Sequence, residues 1–177
     1  IQLKILTISK LDVIWIKGCN MLRCFDIILS CVALVLLSPA LLPVMIVLRL
    51  TGEGEIFFKQ RRIGLGGESF ELIKFATMKK DSPSMAGGTI TLKNDPRILP
   101  FGKFLRSTKL NELPQLINII RGEMSLIGPR PQTQRCFDAF PIGSQKAISS
   151  VPPGLSGIGS LVFRNEDMML QHDDADN

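Results

Sequence analysis

IILSCVALVLLSPALLPVMIVL, residues 27–48, is the stretch that decides the fold of this chain. Its 22 residues carry no charge. As a straight helix rising about 1.5 Å per residue, they would cross the roughly 30 Å hydrocarbon layer of a membrane. A secretory signal peptide has an apolar region of only about 7–15 residues, followed by a small-residue cleavage site. Here the sequence stays apolar past Pro43 as far as Leu48, so the stretch predicts a membrane-embedded helix rather than a cleaved leader.

Two features of the stretch bear on its topology. Ser38-Pro39 lies at its centre and Pro43 follows, and each proline removes a backbone donor and clashes with the preceding turn. Basic residues flank both ends of the run, and the positive-inside tendency favours the cytoplasmic side for such residues. We therefore predict a re-entrant helix-break-helix over residues 21–50, interrupted at Ser38 and Pro39; a spanning helix kinked by proline is the alternative. The flanking cations are Lys17, Arg23, Arg49, Lys59, Arg61 and Arg62.

The length of the chain, 177 residues, suits one soluble domain in addition to the membrane element. Residues 1–20 do not begin with methionine, whereas Met21 immediately precedes the apolar region. We expect residues 1–20 to be an upstream or poorly ordered segment, and residues 51–177 to form a cytoplasmic domain that ends in an acidic tail.

The composition narrows the chemistry. An excess of 21 Lys and Arg over 16 Asp and Glu gives a net charge of +5, which favours anionic partners: nucleic acid, acidic lipid or phosphorylated small molecules. Nucleic acid is disfavoured because tyrosine is absent, tryptophan occurs once, and the basic residues flank an apolar segment without forming an aromatic-laced face. Four cysteines without paired spacing argue against a zinc site or a disulfide framework. The single histidine, His172, lies in the acidic tail, which argues against Ser-His or Cys-His catalysis.

The rest of the chain predicts an α+β, mainly helical fold with a small β-hairpin and amphipathic helices suited to a membrane interface. Glycines separate the two extended candidates, and Leu65-Gly66-Gly67 between them is interpreted as a turn because it lacks the Lys-Ser/Thr end of a phosphate loop. The predicted elements are strands at 55–59 and 69–75, a mobile loop at 81–93, and amphipathic helices at 101–106 and around 135–149.

A polar helix start occupies residues 110–115, Leu-Asn-Glu-Leu-Pro-Gln. Apolar residues recur after it at helical spacing, Asn111 is a good N-cap, and Glu112 suits the positive end of a helix dipole. Pro114 is acceptable in a first turn, where N–H groups have no intrahelical partner. Helical rules thus explain this stretch without any function.

Several motifs, taken in order, resemble the membrane-associated bacterial sugar transferases, the small monotopic phosphoglycosyl transferases that start glycan assembly on a polyprenyl phosphate. The resemblance covers about residues 21–164. Its parts are Arg23-Cys24-Phe25-Asp26, Ser38-Pro39, Gln60-Arg61-Arg62-Ile63-Gly64, Lys74-Phe75-Ala76-Thr77-Met78, Asp95-Pro96-Arg97-Ile98, residues 110–115, residues 122–131 with Gly128-Pro129-Arg130-Pro131, and Pro153-Gly154-Leu155-Ser156-Gly157.

The resemblance implies transfer of a phospho-sugar from a UDP-sugar to polyprenyl (undecaprenyl) phosphate, with release of UMP. It implies an Asp-Glu pair with Mg²⁺, location at the bacterial inner membrane with the catalytic domain on the cytoplasmic face, and downstream glycosyltransferases as partners. The implied catalytic positions are Asn111 and Glu112, with Glu112 also the metal ligand. The implied substrate- and phosphate-binding residues are Arg106, Arg130, Arg97, Pro129 and Pro131.

The chain departs from this pattern at two positions. Asn111 stands where the family has its nucleophilic aspartate, and a neutral amide is a poor nucleophile. Ala76 stands where a basic residue is usual. Four explanations follow for Asn111: Glu112 supplies the nucleophile or the metal ligand, transfer to the lipid phosphate is direct, the chain is inactive, or the branch uses modified chemistry. We favour a transferase that requires Glu112; a catalytically silent membrane-bound binding or scaffold protein is the alternative.

Overall fold

The computed structural model describes residues 10–51, 53–80, 82 and 95–157. The fold is α+β, as predicted. The segment 1–9, the predicted loop at 81–93 apart from Ser82, and the acidic tail lie outside the described residues. The elements are α1 (Lys10–Thr51), β1 (Phe57–Ile63), β2 (Ser69–Phe75), α2 (Pro100–Ser107), α3 (Gln115–Arg121), β3 (Ser125–Ile127), α4 (Gln134–Asp138), α5 (Ile142–Ser149) and β4 (Gly154–Ser156), with 3-10 turns at Leu65–Gly67 and Leu110–Glu112.

Helix α1 runs without interruption through Pro39 and Pro43, so the predicted break at Ser38 and Pro39 is wrong for the backbone. Pro39 has no N–H to donate to the carbonyl of Val35 four residues earlier. The Ser38 hydroxyl donates to that same carbonyl at 2.7 Å and replaces the missing hydrogen bond. The part of helix α1 from Met21 to Thr51 is, by length and composition alone, long and apolar enough to cross a membrane. The re-entrant topology remains a prediction.

Helix α1 has two different faces. The outer face is a stripe of exposed apolar residues at helical spacing, and the inner face packs on the rest of the fold over most of its length. Near its middle, Ala33 and Leu34 pack against a core of Leu72, Leu116, Ile119 and Met124. Towards its C-terminus, Leu48 is buried with Phe75 and Leu105 in a second core. The outer stripe comprises Met21, Phe25, Ile28, Val32, Val35, Leu42, Ile46 and Leu50.

The predicted hairpin is confirmed. Strands β1 and β2 pair antiparallel from Phe57 opposite Phe75 to Ile63 opposite Ser69, so the first strand lies two to four residues later than expected. The connection is a turn, as interpreted from the sequence. Gly66 and Gly67 both have positive φ, 68° and 83°, which glycine adopts without the steric cost of a Cβ atom.

The two predicted helices after the loop differ in outcome. The helix at 101–106 is confirmed as α2. Gly102 lets this helix approach the backbone of Thr77, because a Cβ atom on residue 102 would lie 2.3 Å from the Thr77 carbonyl oxygen. The helix predicted around 135–149 is instead two helices, α4 and α5. Pro141 is the N-cap of α5 in an extended conformation, and its lack of an N–H ends the preceding turn.

A parallel pair of three-residue strands, β3 and β4, was not predicted. It brings the turn at residues 128–131 against residues 152–157. A Cβ on Gly128 would lie 2.5 Å from the Pro152 carbonyl oxygen, and one on Gly154 would lie 2.0 Å from the Gly128 nitrogen. The two segments therefore meet backbone to backbone, at a separation that only glycine permits.

Candidate active site

The 3-10 turn Leu110–Glu112 presents the two residues at the catalytic positions. It follows Lys109, whose φ of 61° is in the left-handed region. The sequence predicted that Asn111 caps one continuous helix, but helix α3 begins only at Gln115, with Pro114 as its N-cap. The reason is that Pro114 has no N–H for the carbonyl of Leu110, and Leu113 N donates to that carbonyl instead, at 3.2 Å.

Glu112 faces Lys74, a residue of strand β2. The Lys74 Nζ and Glu112 Oε1 atoms are 3.9 Å apart, and the two side chains are only 19% and 27% exposed. Burial lowers the pKa of Lys74 to about 8; Glu112 opposes this shift, whereas Arg62, Arg130 and Arg106 add to it. Residues far apart in the sequence therefore form one group of charges, the Lys74 cluster: Lys74, Glu112, Arg62, Arg106 and Arg130.

The sequence reasoning missed Lys74 and Arg62 as site residues, although both lie in motifs that carry the resemblance. A signal for Lys74 was available, because it is a charged residue between Ile73 and Phe75 in an otherwise apolar strand end. Such a residue is retained in a partly buried position only with partners. Arg62 had no comparable local signal.

Arg62 connects strand β1 to the 128–131 turn. Its Nη1 donates to the carbonyl of Pro131 at 3.2 Å, and its Nη2 donates to Gln60 Oε1 at 2.7 Å. Burial lowers its pKa, and the neighbouring Arg130 lowers it further. The turn that contains Pro129, Arg130 and Pro131 is thus fastened to strand β1 through Arg62. The phosphate-binding role of these three residues remains a prediction.

Arg106 and Arg97 have different surroundings. Burial lowers the pKa of Arg106 in the last turn of α2, and Asp95 and Glu112 oppose that shift, so Arg106 lies within electrostatic range of Glu112. Arg97 is only 4% exposed, and its guanidinium forms a bidentate ion pair with Asp95, with Nη2 and Oδ2 2.6 Å apart. The hydrogen bond to Asp95 raises the pKa of Arg97. The phosphate role of Arg97 remains a prediction.

Asn111 has a buried side-chain oxygen, Oδ1, that accepts no hydrogen bond from the described part of the chain. Buried polar atoms are nearly always paired, and exceptions need an explanation. An amide oxygen is a hydrogen-bond acceptor and a metal ligand of moderate strength, so Asn111 Oδ1 could accept a hydrogen bond from a ligand or bind a metal ion.

The Mg²⁺ ion implied by the resemblance fits these residues as an ion shared with a substrate. Within the described ranges, no group of three or more acidic, histidine or cysteine side chains could hold a metal ion alone. Mg²⁺ usually takes one or two protein carboxylates and completes its shell with substrate phosphates and water. Glu112 would provide the carboxylate, and the unpaired Asn111 Oδ1 offers an additional oxygen.

Comparisons with known proteins agree with the motifs. The sequence profile of the family described as "Bacterial sugar transferase" matches residues 18–176. The exopolysaccharide production protein ExoY of Rhizobium meliloti is 37% identical over 158 residues, covering 81% of this chain and 70% of ExoY. A UDP-glucose:undecaprenyl-phosphate glucose-1-phosphate transferase of Xanthomonas campestris is 44% identical, over 80% of this chain but only 30% of that protein.

A UDP-N-acetylgalactosamine-undecaprenyl-phosphate N-acetylgalactosaminephosphotransferase of Aeromonas hydrophila is 35% identical, over 79% of this chain and 33% of that protein. The chain therefore spans most of ExoY and about a third of the two larger transferases. The family match covers nearly the whole sequence, and it confirms the resemblance drawn from the motifs: this chain is a member of the bacterial sugar transferase family.

Proposed function

We propose that the chain transfers a phospho-sugar from a UDP-sugar to polyprenyl phosphate and releases UMP, the first step of glycan assembly for downstream glycosyltransferases. The observation that carries this proposal is the Lys74 cluster. Three arginines and the carboxylate of Glu112 act on the partly buried Lys74, so the cluster has more cations than carboxylates, which suits a diphosphate ligand with two or more negative charges. The two larger transferases are named for reactions of this type.

The reaction exchanges one phosphorus–oxygen bond for another. A bond forms from the attacking oxygen to the sugar-linked phosphorus, the bond from that phosphorus to the bridging oxygen breaks, and the electron pair leaves with UMP. Negative charge gathers on the oxygens around phosphorus and on the departing UMP, where fixed cations stabilise it. In this proposal Lys74, Arg106 and Arg130 are the cations that stabilise this charge. Mg²⁺ bound by Glu112 would neutralise further diphosphate charge.

Two routes are compatible with Asn111. In one, a Glu112 carboxylate oxygen attacks the sugar-linked phosphorus and the lipid phosphate then displaces it; in the other, the lipid phosphate attacks directly. The neutral amide of Asn111 takes neither nucleophilic role. Mixing the protein with a UDP-sugar and no lipid acceptor separates the routes. A burst of UMP equal to the amount of enzyme indicates the covalent route, and acceptor-dependent UMP release indicates the direct one.

Both ends of the apolar part of α1 contact the same domain, which supports the proposal that the two ends lie on one side of the membrane. Arg23 donates to the carbonyls of Ile120 and Met124, and Leu48 is buried against Phe75 and Leu105. A spanning helix would place its two ends on opposite sides of a hydrocarbon layer about 30 Å thick. The basic flanks indicate the cytoplasmic side.

Topology is tested by labelling single cysteines, Met21→Cys and Glu55→Cys, in a cysteine-free background. An impermeant thiol reagent added outside intact cells should label neither position, and after the inner membrane is opened it should label both. Labelling of one position in intact cells would place the two ends on opposite sides.

The test of the proposed reaction is UMP release by the purified protein in lipid nanodiscs with Mg²⁺, undecaprenyl phosphate and a panel of UDP-sugars. The proposal requires UMP with at least one donor. A second candidate function, silent binding on the same fold, is favoured by Asn111 at the nucleophile position. Asn111→Asp separates the two: activity that appears only in this variant would establish the silent candidate.

A further inference from the structure

Two charged residues on the inner face of α1, Arg23 and Asp26, lie one helical turn apart beside the start of the apolar run. The proposed chemistry uses neither of them. Both make hydrogen bonds to elements about 100 residues later in the chain, and each of these elements leads directly to a part of the Lys74 cluster.

Arg23 holds the C-terminal end of α3. Its guanidinium donates to the carbonyls of Ile119 and Ile120 in the last turn of that helix, and to the carbonyl of Met124 just beyond it at 3.2 Å. The last carbonyls of a helix have no intrahelical donor, and a cation there also offsets the negative end of the helix dipole. Helix α3 is only 7 residues long, and Glu112 lies three residues before it.

Asp26 holds strand β3. Its Oδ2 accepts a hydrogen bond from the Ser125 hydroxyl at 2.7 Å, and its Oδ1 accepts one from the Leu126 N–H at 3.2 Å. Both oxygens of one carboxylate therefore bind consecutive residues of the strand. Hydrogen bonds to a carboxylate are about twice as strong as neutral ones, so the strand is fixed in one register against α1.

Strand β3 leads straight into the turn that carries Arg130. The Gly128 N–H donates to the Ser156 carbonyl at 3.0 Å, and the Gly154 N–H donates to the Pro129 carbonyl at 2.8 Å. Two proline rings restrict the backbone on either side of Arg130. These hydrogen bonds and proline rings restrict the backbone from Leu126 to Arg130. We therefore expect a displacement of strand β3 to displace the Arg130 side chain as well.

We propose that Arg23 and Asp26 are positioning residues, through which the membrane helix sets the places of Glu112 and Arg130 so that both face the same diphosphate. The identity of the ligand rests on the proposed function. A diphosphate site positioned by these contacts forms fully only when α1 is packed against the domain. Diphosphate binding would therefore depend on the membrane helix.

The experiment measures the affinity of the full-length protein in nanodiscs for UDP, a soluble diphosphate probe. Asp26→Ala should weaken UDP binding about 10-fold, the usual effect of losing a residue that orients a ligand-binding group. Arg130→Ala should weaken it by a similar factor. The double variant should bind no worse than Arg130→Ala alone, because Asp26 acts through Arg130. Additive losses would overturn the proposal, since they would indicate a general weakening of the fold.

Two further variants sharpen the test. Asp26→Asn keeps an oxygen acceptor for one of the two donors and should recover part of the affinity. Cys24→Ala, two residues away on the exposed side of α1, should leave UDP affinity unchanged within about twofold. Loss of affinity in Cys24→Ala equal to that in Asp26→Ala would also overturn the proposal, because no contact to β3 is altered there.

Hydrogen–deuterium exchange gives a readout that does not depend on the function. Asp26→Ala should speed amide exchange in residues 125–131, and Arg23→Gln should speed it at residues 119–124, while Cys24→Ala changes neither. If wild-type protein fails to bind UDP, the proposed function fails and the exchange data still decide the positioning role. Unchanged exchange at 125–131 in Asp26→Ala would refute that role whatever UDP does.

Discussion

Two groups of opposite charges in this molecule, Asp95 with Arg97 and the Lys74 cluster, are built in contrasting ways. Asp95 and Arg97 approach to 2.6 Å, in bidentate geometry, with side chains 4% and 5% exposed. Lys74 and Glu112 are 3.9 Å apart, with side chains 19% and 27% exposed. In the first group one carboxylate is hydrogen-bonded to one guanidinium, and Asp95 also acts on Arg106; in the second, three arginines act on Lys74 beside a single carboxylate.

The contrast separates a structural ion pair from a ligand-binding one. A buried pair with ideal geometry satisfies itself and has little to offer a ligand. A cluster with more cations than carboxylates is held together by the fold against its own repulsion, and an anionic ligand would relieve that repulsion. Changes in the two groups should therefore affect different quantities: stability in the first, and binding and turnover in the second.

The largest effect is expected for Glu112→Gln. Loss of the one carboxylate in the Lys74 cluster should lower the rate of UMP release by about 1,000-fold or more, because both proposed routes and the Mg²⁺ site need its charge. The matched control is Glu71→Gln, which removes an exposed carboxylate on the same strand as Lys74. Turnover by Glu112→Gln at the wild-type rate would remove Glu112 from the mechanism.

A comparable free-energy effect, on stability instead of turnover, is expected for Asp95→Asn. Removing the Asp95 charge leaves the Arg97 guanidinium without its carboxylate partner and should lower the free energy of unfolding in a denaturant titration by more than any surface substitution does. UDP affinity of the folded protein should change little. The reverse pattern, stable protein with weakened UDP binding, would assign Arg97 to the phosphate site as the resemblance implies.

A smaller effect is expected from pH. Burial lowers the pKa of Lys74 from 10.5 to about 8, so the amine is charged below that pH and neutral above it. A diphosphate prefers the charged form of Lys74. UDP affinity should therefore change little from about pH 7, where the terminal phosphate of UDP (pKa about 6) is already ionised, to pH 8. Above it the affinity should fall, by up to about 10-fold per pH unit. Lys74→Arg stays charged and should flatten the curve when both proteins are titrated in Mg²⁺-free buffer. Identical curves for the two would contradict a role for Lys74 in binding.

The smallest effect is expected for the surface pair Lys59–Glu71. Its side chains are 59% and 57% exposed, so Lys59→Ala should change the free energy of unfolding by less than about 1 kcal/mol and leave UDP affinity unchanged. The free energies of unfolding of Lys59→Ala and Asp95→Asn are compared by denaturant titration under the same conditions. Equal losses in the two variants would show that burial does not separate the pairs.

The sequence predicted elements whose signals are local. The β1–β2 hairpin follows from alternation and a glycine turn, and α2 follows from one amphipathic stretch. Strands β3 and β4 were missed because each is three residues long and they pair across 29 positions, from Ser125 to Gly154. Helix α1 continues through Pro39, where the Ser38 hydroxyl replaces the lost donor. A rule that treats proline alone predicts the break.

Some residues of the candidate site were likewise predicted from local motifs, whereas others were missed. Glu112, Arg106 and Arg130 were found because they lie in motifs, and the structure places them around Lys74. Lys74 was missed as a site residue although its place between Ile73 and Phe75 was a local signal; the arginines that act on it lie on three other segments and could not be assigned to it from the sequence. The partner of Arg97 was within reach of sequence reasoning, since Asp95 is only two residues earlier.

The most direct test of the account is mass-spectrometric detection of the lipid product. Wild-type protein in nanodiscs with Mg²⁺, undecaprenyl phosphate and a panel of UDP-sugars should convert the lipid to its sugar diphosphate with one UMP per product molecule. Glu112→Gln should form product about 1,000-fold more slowly, or not at all. Protein that binds UDP but forms neither lipid product nor UMP with any donor would contradict the account.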